Sequence, residues 1–422
     1  MNPAHSLPGP QDISRVELPN GITVLVRSNF NSPSFTLTGY LTAGSLFEAD
    51  EKLGLSDFAT SCLMRGTRTR SFEQIYDALE SVGSHLGFSA GTHTTGFSGR
   101  ALVEDLPLVF DLLSDCLLNP VFPTAEVERL RTQLLTGLAM RAQDTGSMAS
   151  MTFDSMIFGD HPYARPDDGY PETIRAISRD DLLEYHQRCF GPRGLTIAVV
   201  GAVEPDMIIT ELQRVLGNWT NPLQPATPIL PAVNALEAPQ RQHIALAGKS
   251  QTDLVVGVLG PLRRSPDYLA ASLGNSVLGQ FGMMGRIGEV VREQSGLAYY
   301  ASSSVSGGTG PGTWEVSAGV NPTNLEKALD LIQQELQLFT SEGVSEEELR
   351  DSQDNFVGRL PLSMESNNGV AGALVNIERH NLGLDYYQRY EENVRAITPA
   401  MVMDAARKYI NPTALAIATS GP

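Results

Sequence analysis

The sequence has few of the features that mark disulfide-stabilised, secreted or membrane-spanning proteins. Its 422 residues include three cysteines, which are far apart and form no Cys-x-x-Cys pair: Cys62, Cys116 and Cys189. An odd number of isolated cysteines favours reduced, buried thiols over a disulfide framework. No run of about 18 apolar residues is present, so we predict no membrane span. The first ten residues are polar and carry no secretory pattern, which favours a cytoplasmic protein, or a periplasmic one if a leader was removed.

Basic residues are also scarce, and nucleotide-binding loops are missing. The 30 Lys and Arg residues are outnumbered by 48 Asp and Glu residues, which gives a formal net charge of −18. Because phosphate backbones are bound by clustered Lys and Arg, this balance argues against a nucleic-acid partner. The chain contains no Gly-x-x-x-x-Gly-Lys-Ser/Thr segment, and no Gly-x-Gly-x-x-Gly segment follows a predicted strand. We therefore predict no nucleotide site.

An internal repeat is the most informative feature that is present. Residues 172–202 and 392–422 align without a gap at an offset of 220, and nine of the 31 positions are identical. Each copy predicts a helix that begins after a capping residue, Ser178 or Thr398, followed by a turn and a β-rich run. The same helix–turn–strand unit is therefore expected twice.

The repeat extends upstream and divides the chain. Residues 105–117 and 324–336 share a helical period of apolar positions, and a further predicted helix follows each. The proline-rich residues 221–239 separate the two copies. We predict an N-terminal domain at residues 1–220, a linker at 221–239 and a C-terminal domain at 240–422.

Strand signals are interspersed with the predicted helices. An Asn20-Gly21 pair between apolar runs predicts a hairpin over residues 16–27. Further strands are predicted at residues 35–43, 253–260 and 313–320. Strands mixed with packed helices, without strict alternation, predict an α+β fold with a sandwich in each half.

Residues 43–70 resemble a known motif that is here incomplete. The segment reads AGSLFEADEKLGLSDFATSCLMRGTRTR. It resembles the zinc-motif region of M16 (pitrilysin/insulinase-like, subfamily B) peptidases, whose active members carry AGS-x-x-E and then G-x-A-H-F-x-E-H-M-x-F-x-G-T. The residues kept here are Ala43, Gly44, Ser45, Glu48, Gly54, Phe58, Gly66 and Thr67. The resemblance covers essentially the whole chain and implies two homologous α/β-sandwich domains of the LuxS/MPP-like metallohydrolase type.

By this resemblance, residues 57–61 should hold the inverted zinc motif His-x-x-Glu-His, but they read DFATS. Two imidazoles at i and i+4 lie on one helix face and reach one Zn²⁺, and the glutamate at i+3 activates the metal-bound water. Asp57 could supply one oxygen ligand, but Thr60 cannot act as a base and Ser61 is a poor zinc ligand. The family's further glutamate ligand should fall near position 137, where the chain has Thr136 and Gly137.

The remaining histidines do not rebuild a metal site. They show no His-x-x-x-His, His-x-x-Glu or His-x-His spacing, and they are His5, His85, His93, His161, His186, His243 and His380. We interpret them as ordinary surface or core residues. No metal and no cofactor are therefore expected in this chain, and zinc is expected only in a partner subunit.

A second motif is retained at residues 279–300, GQFGMMGRIGEVVREQSGLAYY. By resemblance, Arg292 and Tyr299 match the M16 pair that faces the zinc across the closed peptidase chamber. A tyrosine hydroxyl can donate to a developing oxyanion, and a guanidinium can fix either the tyrosine or a peptide carbonyl. The alternative is structural: Arg292 at a helix C-terminus and Tyr299 as a half-buried strand residue.

The resemblance implies a division of labour between two subunits. In two-subunit bacterial members, one chain carries the zinc motif, and the other has lost it and keeps the Arg/Tyr pair. This sequence has the second pattern, which predicts a heterodimer with a zinc-bearing M16 subunit and a peptide substrate. The alternative is a structural or peptide-binding M16-like protein with no role in hydrolysis. A hydrolase that uses Asp57 and Ser61 lacks a positioned histidine.

Residues 89–95 also resemble a part of the family's active-site surroundings. In M16 peptidases the corresponding edge strand can accept an extended peptide as an added strand. An ordinary Gly/Thr-rich strand of the first sheet is the other interpretation.

Overall fold

The computed structural model describes residues 7–280, 282 and 285–422, which form two compact units. The first unit extends to Leu138 and includes Pro166–Ile229 and Pro361–Gln388. The second unit comprises Ala139–Arg165, Leu230–Leu360 and Arg389–Pro422. Each unit contains one mixed sheet with helices packed on it, which confirms the predicted α+β class.

The first sheet has six strands in the order β1-β2-β6-β3-β5-β4. They are β1 (Ser14–Glu17), β2 (Thr23–Ser28), β3 (Ser34–Leu41), β4 (His85–Ala90), β5 (Thr95–Leu102) and β6 (Thr196–Gly201). Only the β2/β6 pair is parallel. The predicted hairpin over residues 16–27 is confirmed as β1–β2, and Gly21 takes the positive φ of +88° that the turn requires.

The second sheet repeats the first without its outermost strand, in the order β7-β11-β8-β10-β9. Its strands are β7 (Gln240–Ala245), β8 (Thr252–Leu259), β9 (Ala298–Val305), β10 (Thr313–Val320) and β11 (Ala416–Gly421). The parallel pair β7/β11 corresponds to β2/β6, and β6 and β11 begin 220 residues apart. The duplication predicted from the sequence is thus present in the sheet topology.

The helices follow the repeat as well. In the first half they are α1 (Leu55–Cys62), α2 (Phe72–Glu80), α3 (Leu106–Leu118), α4 (Thr124–Arg141), α5 (Thr145–Phe158), α6 (Pro171–Ala176), α7 (Arg179–Cys189) and α8 (Pro205–Leu216). In the second half they are α9 (Tyr268–Gly279), α10 (Gly285–Gly288), α11 (Leu325–Glu342), α12 (Glu346–Ser363), α13 (Asn367–His380), α14 (Tyr390–Arg395) and α15 (Pro399–Tyr409). A π-helix, Glu289–Glu293, continues α10. The predicted caps are confirmed, because Ser178 accepts the N–H of Asp181 and Thr398 accepts that of Met401.

Two helices pack on the sheet of the other half of the sequence. Helix α5 packs on β8 and β11, where Ala149 and Phe153 join a buried cluster with Val255. Helix α13 packs on β3 and β6. The compact units therefore group residues differently from the sequence halves at 1–220 and 240–422, because apolar periodicity marks a helix face but not the sheet that it covers.

The described residues agree with the prediction of reduced, buried thiols. The three cysteines are buried and unpaired, and burial raises the pKa of each thiol. No helix among residues 7–280, 282 and 285–422 has the length and hydropathy needed to cross a membrane.

Candidate functional site

The helix at the incomplete zinc motif is α1, and Glu48 caps its N-terminus. The Glu48 carboxyl is buried and accepts the backbone N–H of Gly54 at 2.9 Å and that of Ser56. Burial raises the pKa of Glu48 to about 8, although both N–H donors oppose that shift. The motif glutamate that this chain keeps is thus engaged in holding the start of α1.

The positions that would bind zinc carry one carboxyl and two hydroxyls. Burial, followed by the nearby Asp168 and Asp167, raises the pKa of the Asp57 carboxyl to about 6. Thr60 is buried, and its Oγ1 lies 3.1 Å from that of Thr95. Ser61 is half-buried. One carboxyl and two hydroxyls cannot replace two imidazoles and a general base.

The position expected for the third zinc ligand is open. Gly137 is exposed on α4, and apart from its chain neighbours and the backbone of its own helix no atom lies within 4 Å of where its Cβ would be. Six residues earlier on α4, Arg131 stacks over the ring of Phe58 on α1, with 5.2 Å from its Cζ to the ring centroid. Within the parts of the chain that the structure describes, no group of three His, Cys, Asp or Glu side chains is placed to hold a metal ion.

Arg292 lies in the π-helix that continues α10. The N–H of Gln294 donates to the Glu289 carbonyl five residues earlier at 2.9 Å, which widens the turn. The Gly296 N–H then donates to the Arg292 carbonyl at 2.9 Å and ends the helix. The Arg292 side chain is about one-third exposed and pairs with Glu293 at 3.4 Å. Its guanidinium is therefore partly accessible to a ligand.

Tyr299 occupies a β-bulge at the start of β9. In the β9/β10 pair, Val320 lies opposite Ala298 and Gly319 lies opposite Tyr300, so Tyr299 is the extra residue. Its side chain is 80% exposed. The structural interpretation of the motif expected a half-buried residue at this position. Because β9 is an edge strand, the bulge directs an unpaired tyrosine out of the sheet.

A buried carboxylate lies beside this bulge, and the sequence analysis did not identify it. Asp253 accepts hydrogen bonds from Tyr300 Oη at 2.8 Å, from Gln251 Nε2 at 2.8 Å and from the hydroxyl of Thr145. Burial, followed by the hydrogen bond to Asp253, raises the pKa of Tyr300. The contact joins residues 47 positions apart, which no local sequence pattern indicates.

An ion-pair cluster fixes the helix that leads to Arg292. Arg286 makes two hydrogen bonds of 2.7 Å to the carboxylate of Glu348 on α12 and lies 3.7 Å from Glu335 on α11. Burial would raise the pKa of Glu348, but the bonds from Arg286 and Ser345 outweigh it and lower the pKa to about 2. Helix α10 is thereby attached to two longer helices.

Residues 89–95 comprise the end of β4, a turn and the first residue of β5. Strand β4 is one of the two edge strands of the first sheet, with β1 at the other edge. The outer side of an edge strand is where an extended peptide can pair.

Comparisons with known proteins agree with this arrangement. A family model described as insulinase (peptidase family M16) matches residues 23–166, and one described as peptidase M16 inactive domain matches residues 176–356. The chain is similar to an uncharacterized zinc protease of Mycobacterium leprae, 27% identical over 391 residues, which cover 92% of this chain and 87% of that protein. An uncharacterized zinc protease of Streptomyces coelicolor is 26% identical over 367 residues, which cover 86% of this chain and 79% of that protein.

Solved structures show the same fold. A structure described as a peptidase M16 inactive domain from Pseudomonas fluorescens superimposes with a TM-score of 0.91 at 26% identity, over 97% of this chain and 98% of that one. A protease from Helicobacter pylori superimposes with a TM-score of 0.90 at 17% identity, over 99% of this chain and 100% of that one, and supports the fold alone. The family-model matches span most of the sequence, and the chain belongs to the M16 peptidase family.

Proposed function

We propose that this chain is the non-catalytic subunit of a two-subunit M16 zinc peptidase. It forms half of the peptide chamber and supplies Arg292 and Tyr299 to the zinc site of a partner subunit. The observation that carries the proposal is the exposed Tyr299 at a β-bulge, in a chain whose own motif positions hold an aspartate, a threonine and a serine.

The chemistry of the pair suits peptide hydrolysis at a zinc ion held elsewhere. Attack on a peptide carbonyl places negative charge on its oxygen, and the Tyr299 hydroxyl can donate a hydrogen bond to that oxygen. The guanidinium of Arg292 can hold a neighbouring peptide carbonyl through its planar N–H donors. Zinc and the general base come from the partner subunit, so this chain contributes binding and charge stabilisation.

A mixing experiment tests the proposal. The chain, a zinc-bearing M16 subunit from the same organism with an intact His-x-x-Glu-His motif, and their mixture are assayed against a library of quenched fluorescent peptides. We expect hydrolysis only in the mixture and no stoichiometric zinc in the pure chain by metal analysis. Hydrolysis or tightly bound zinc in the pure chain would contradict the proposal.

The mixture also separates the proposal from the alternative. A structural or peptide-binding protein without a role in hydrolysis would bind peptides, and the partner would cut them equally well without it. An activity of the partner subunit that does not change when this chain is added would therefore favour that alternative.

A further inference from the structure

The bulge at Tyr299 has an anchor on its C-terminal side. Tyr300 lies opposite Gly319 and donates its hydroxyl to Asp253, whose side chain is buried. A Cβ on Gly319 would lie 2.6 Å from Tyr300 Cε1 and 2.9 Å from Asp253 Oδ1. Because residue 319 has no side chain, the Tyr300 ring can lie across the strand pair and reach the carboxylate.

The anchor has a direct consequence for Tyr299. A bulged residue has no partner across the ladder, so its neighbours determine its direction. On one side Ala298 pairs with Val320, and on the other Tyr300 is held by the network of donors around Asp253. Loss of the Tyr300 hydroxyl would leave one side of the bulge without its anchor.

We propose that Tyr300 and Asp253 are positioning residues, which hold the β9 bulge in the conformation that presents Tyr299. Their effect on hydrolysis rests on the proposed function. The Tyr300 hydroxyl is engaged by Asp253, so in this proposal Tyr300 acts through Tyr299.

A double-mutant cycle in the peptidase mixture tests this role. We expect Tyr300→Phe to lower kcat about tenfold with KM within about twofold, because small displacements of a catalytic group reduce turnover strongly. In a Tyr299→Phe background the same change should have no further effect. Asp253→Asn keeps an acceptor oxygen and should retain most of kcat, whereas Asp253→Ala should resemble Tyr300→Phe. Where Tyr299→Phe itself lowers kcat, additive losses, or an unchanged kcat in Tyr300→Phe, would overturn the inference.

A measurement on the pure chain separates this inference from the proposed function. Amide hydrogen exchange over residues 298–301 should accelerate about tenfold in Tyr300→Phe and in Gly319→Ala, because both disturb the anchor. The matched control is Tyr409→Phe. It also removes a tyrosine hydroxyl that donates to an aspartate, Asp267 at 3.2 Å, but Tyr409 lies in α15 and not in the β9/β10 strand pair. Unchanged exchange in Tyr300→Phe would overturn the inference. Accelerated exchange together with a Tyr299→Phe variant of normal activity would support the anchor and contradict only the proposed function.

Discussion

Thr60 Oγ1 and Thr95 Oγ1 lie 3.1 Å apart in the interior of the first unit, at the position where active M16 peptidases carry the catalytic glutamate. Thr95 donates its proton to the carbonyl of Ala43 at 3.0 Å, so Thr60 is the donor in the bond between the two hydroxyls. The Thr60 proton thus joins α1 to β5, and the Thr95 proton joins β5 to the Ala43 carbonyl. In this chain, the motif position of the family's catalytic glutamate carries a hydroxyl that joins α1 to β5.

The first prediction concerns that packing. Thr60→Glu should lower the free energy of unfolding by about 3 kcal/mol or more, because it overpacks a closed site and buries a charge. Urea denaturation at pH 7 measures the loss. The matched control is Ser61→Glu at the neighbouring half-buried position, which should cost clearly less. Equal losses in the two variants would show that position 60 is not enclosed.

The second prediction concerns the position of the missing third ligand. Gly137→Ala should raise the free energy of unfolding by about 0.5–1 kcal/mol, because a helix interior favours alanine and the site is open. Gly274→Ala in α9 is the control, since its Cβ would lie 2.6 Å from Val402 Cγ1 and should destabilise the protein. Thermal and urea unfolding show whether each substitution raises or lowers the free energy of unfolding. A destabilising Gly137→Ala would contradict the open site.

The third prediction concerns pH. Burial raises the pKa of Glu48 from 4.5 to about 8, so the folded state retains a proton that the unfolded state loses. The free energy of unfolding should therefore fall as the pH rises from 6.5 to 8. Burial lowers the pKa of His186 from 6.5 to about 4, so this imidazole is neutral in the folded state over that window. In the unfolded state it still loses its proton near pH 6.5, which opposes the fall at the lower end of the window. In Glu48→Gln the free energy of unfolding should fall less between pH 6.5 and 8. If it falls as steeply in this variant as in the unsubstituted protein, Glu48 is not the source of the pH dependence.

The sequence predicts those features of the fold that depend on neighbouring residues, and it does not predict contacts between residues far apart in the chain. The caps at Ser178 and Thr398, the turn at Gly21 and the repeat offset are local patterns, and the structure reproduces them. The exchange of α5 and α13 between the sheets follows from long-range packing, which periodicity does not encode.

In the candidate site, too, the motif residues could be predicted from the sequence and the long-range contacts could not. The resemblance identified Arg292 and Tyr299 by motif, and their roles stay a prediction. The bulge at Tyr299 depends on a register shift against Gly319, and the anchor at Asp253 joins residues 47 positions apart. Neither contact leaves a spacing signal in a single sequence.

The fourth prediction concerns the helix that precedes Arg292. Arg286→Met should lower the free energy of unfolding by about 3 kcal/mol, because it leaves the buried Glu335 without its nearby cation. Adding Glu335→Gln should recover part of that loss. The exposed pair of Arg395 and Asp354 is the control, and Asp354→Asn should cost less than about 1 kcal/mol. Similar losses at both pairs would contradict the role of the Arg286 cluster in fixing α10.

The most direct test of the central claim is the kcat/KM of the two-subunit mixture with substitutions in this chain alone. Arg292→Ala and Tyr299→Phe should each lower kcat/KM about 100-fold, because each removes a group that stabilises the transition state, while zinc content and subunit association stay unchanged. Tyr409→Phe should leave it unchanged. If both variants retain the activity of the unsubstituted mixture, this chain does not supply Arg292 and Tyr299 to its partner's zinc site.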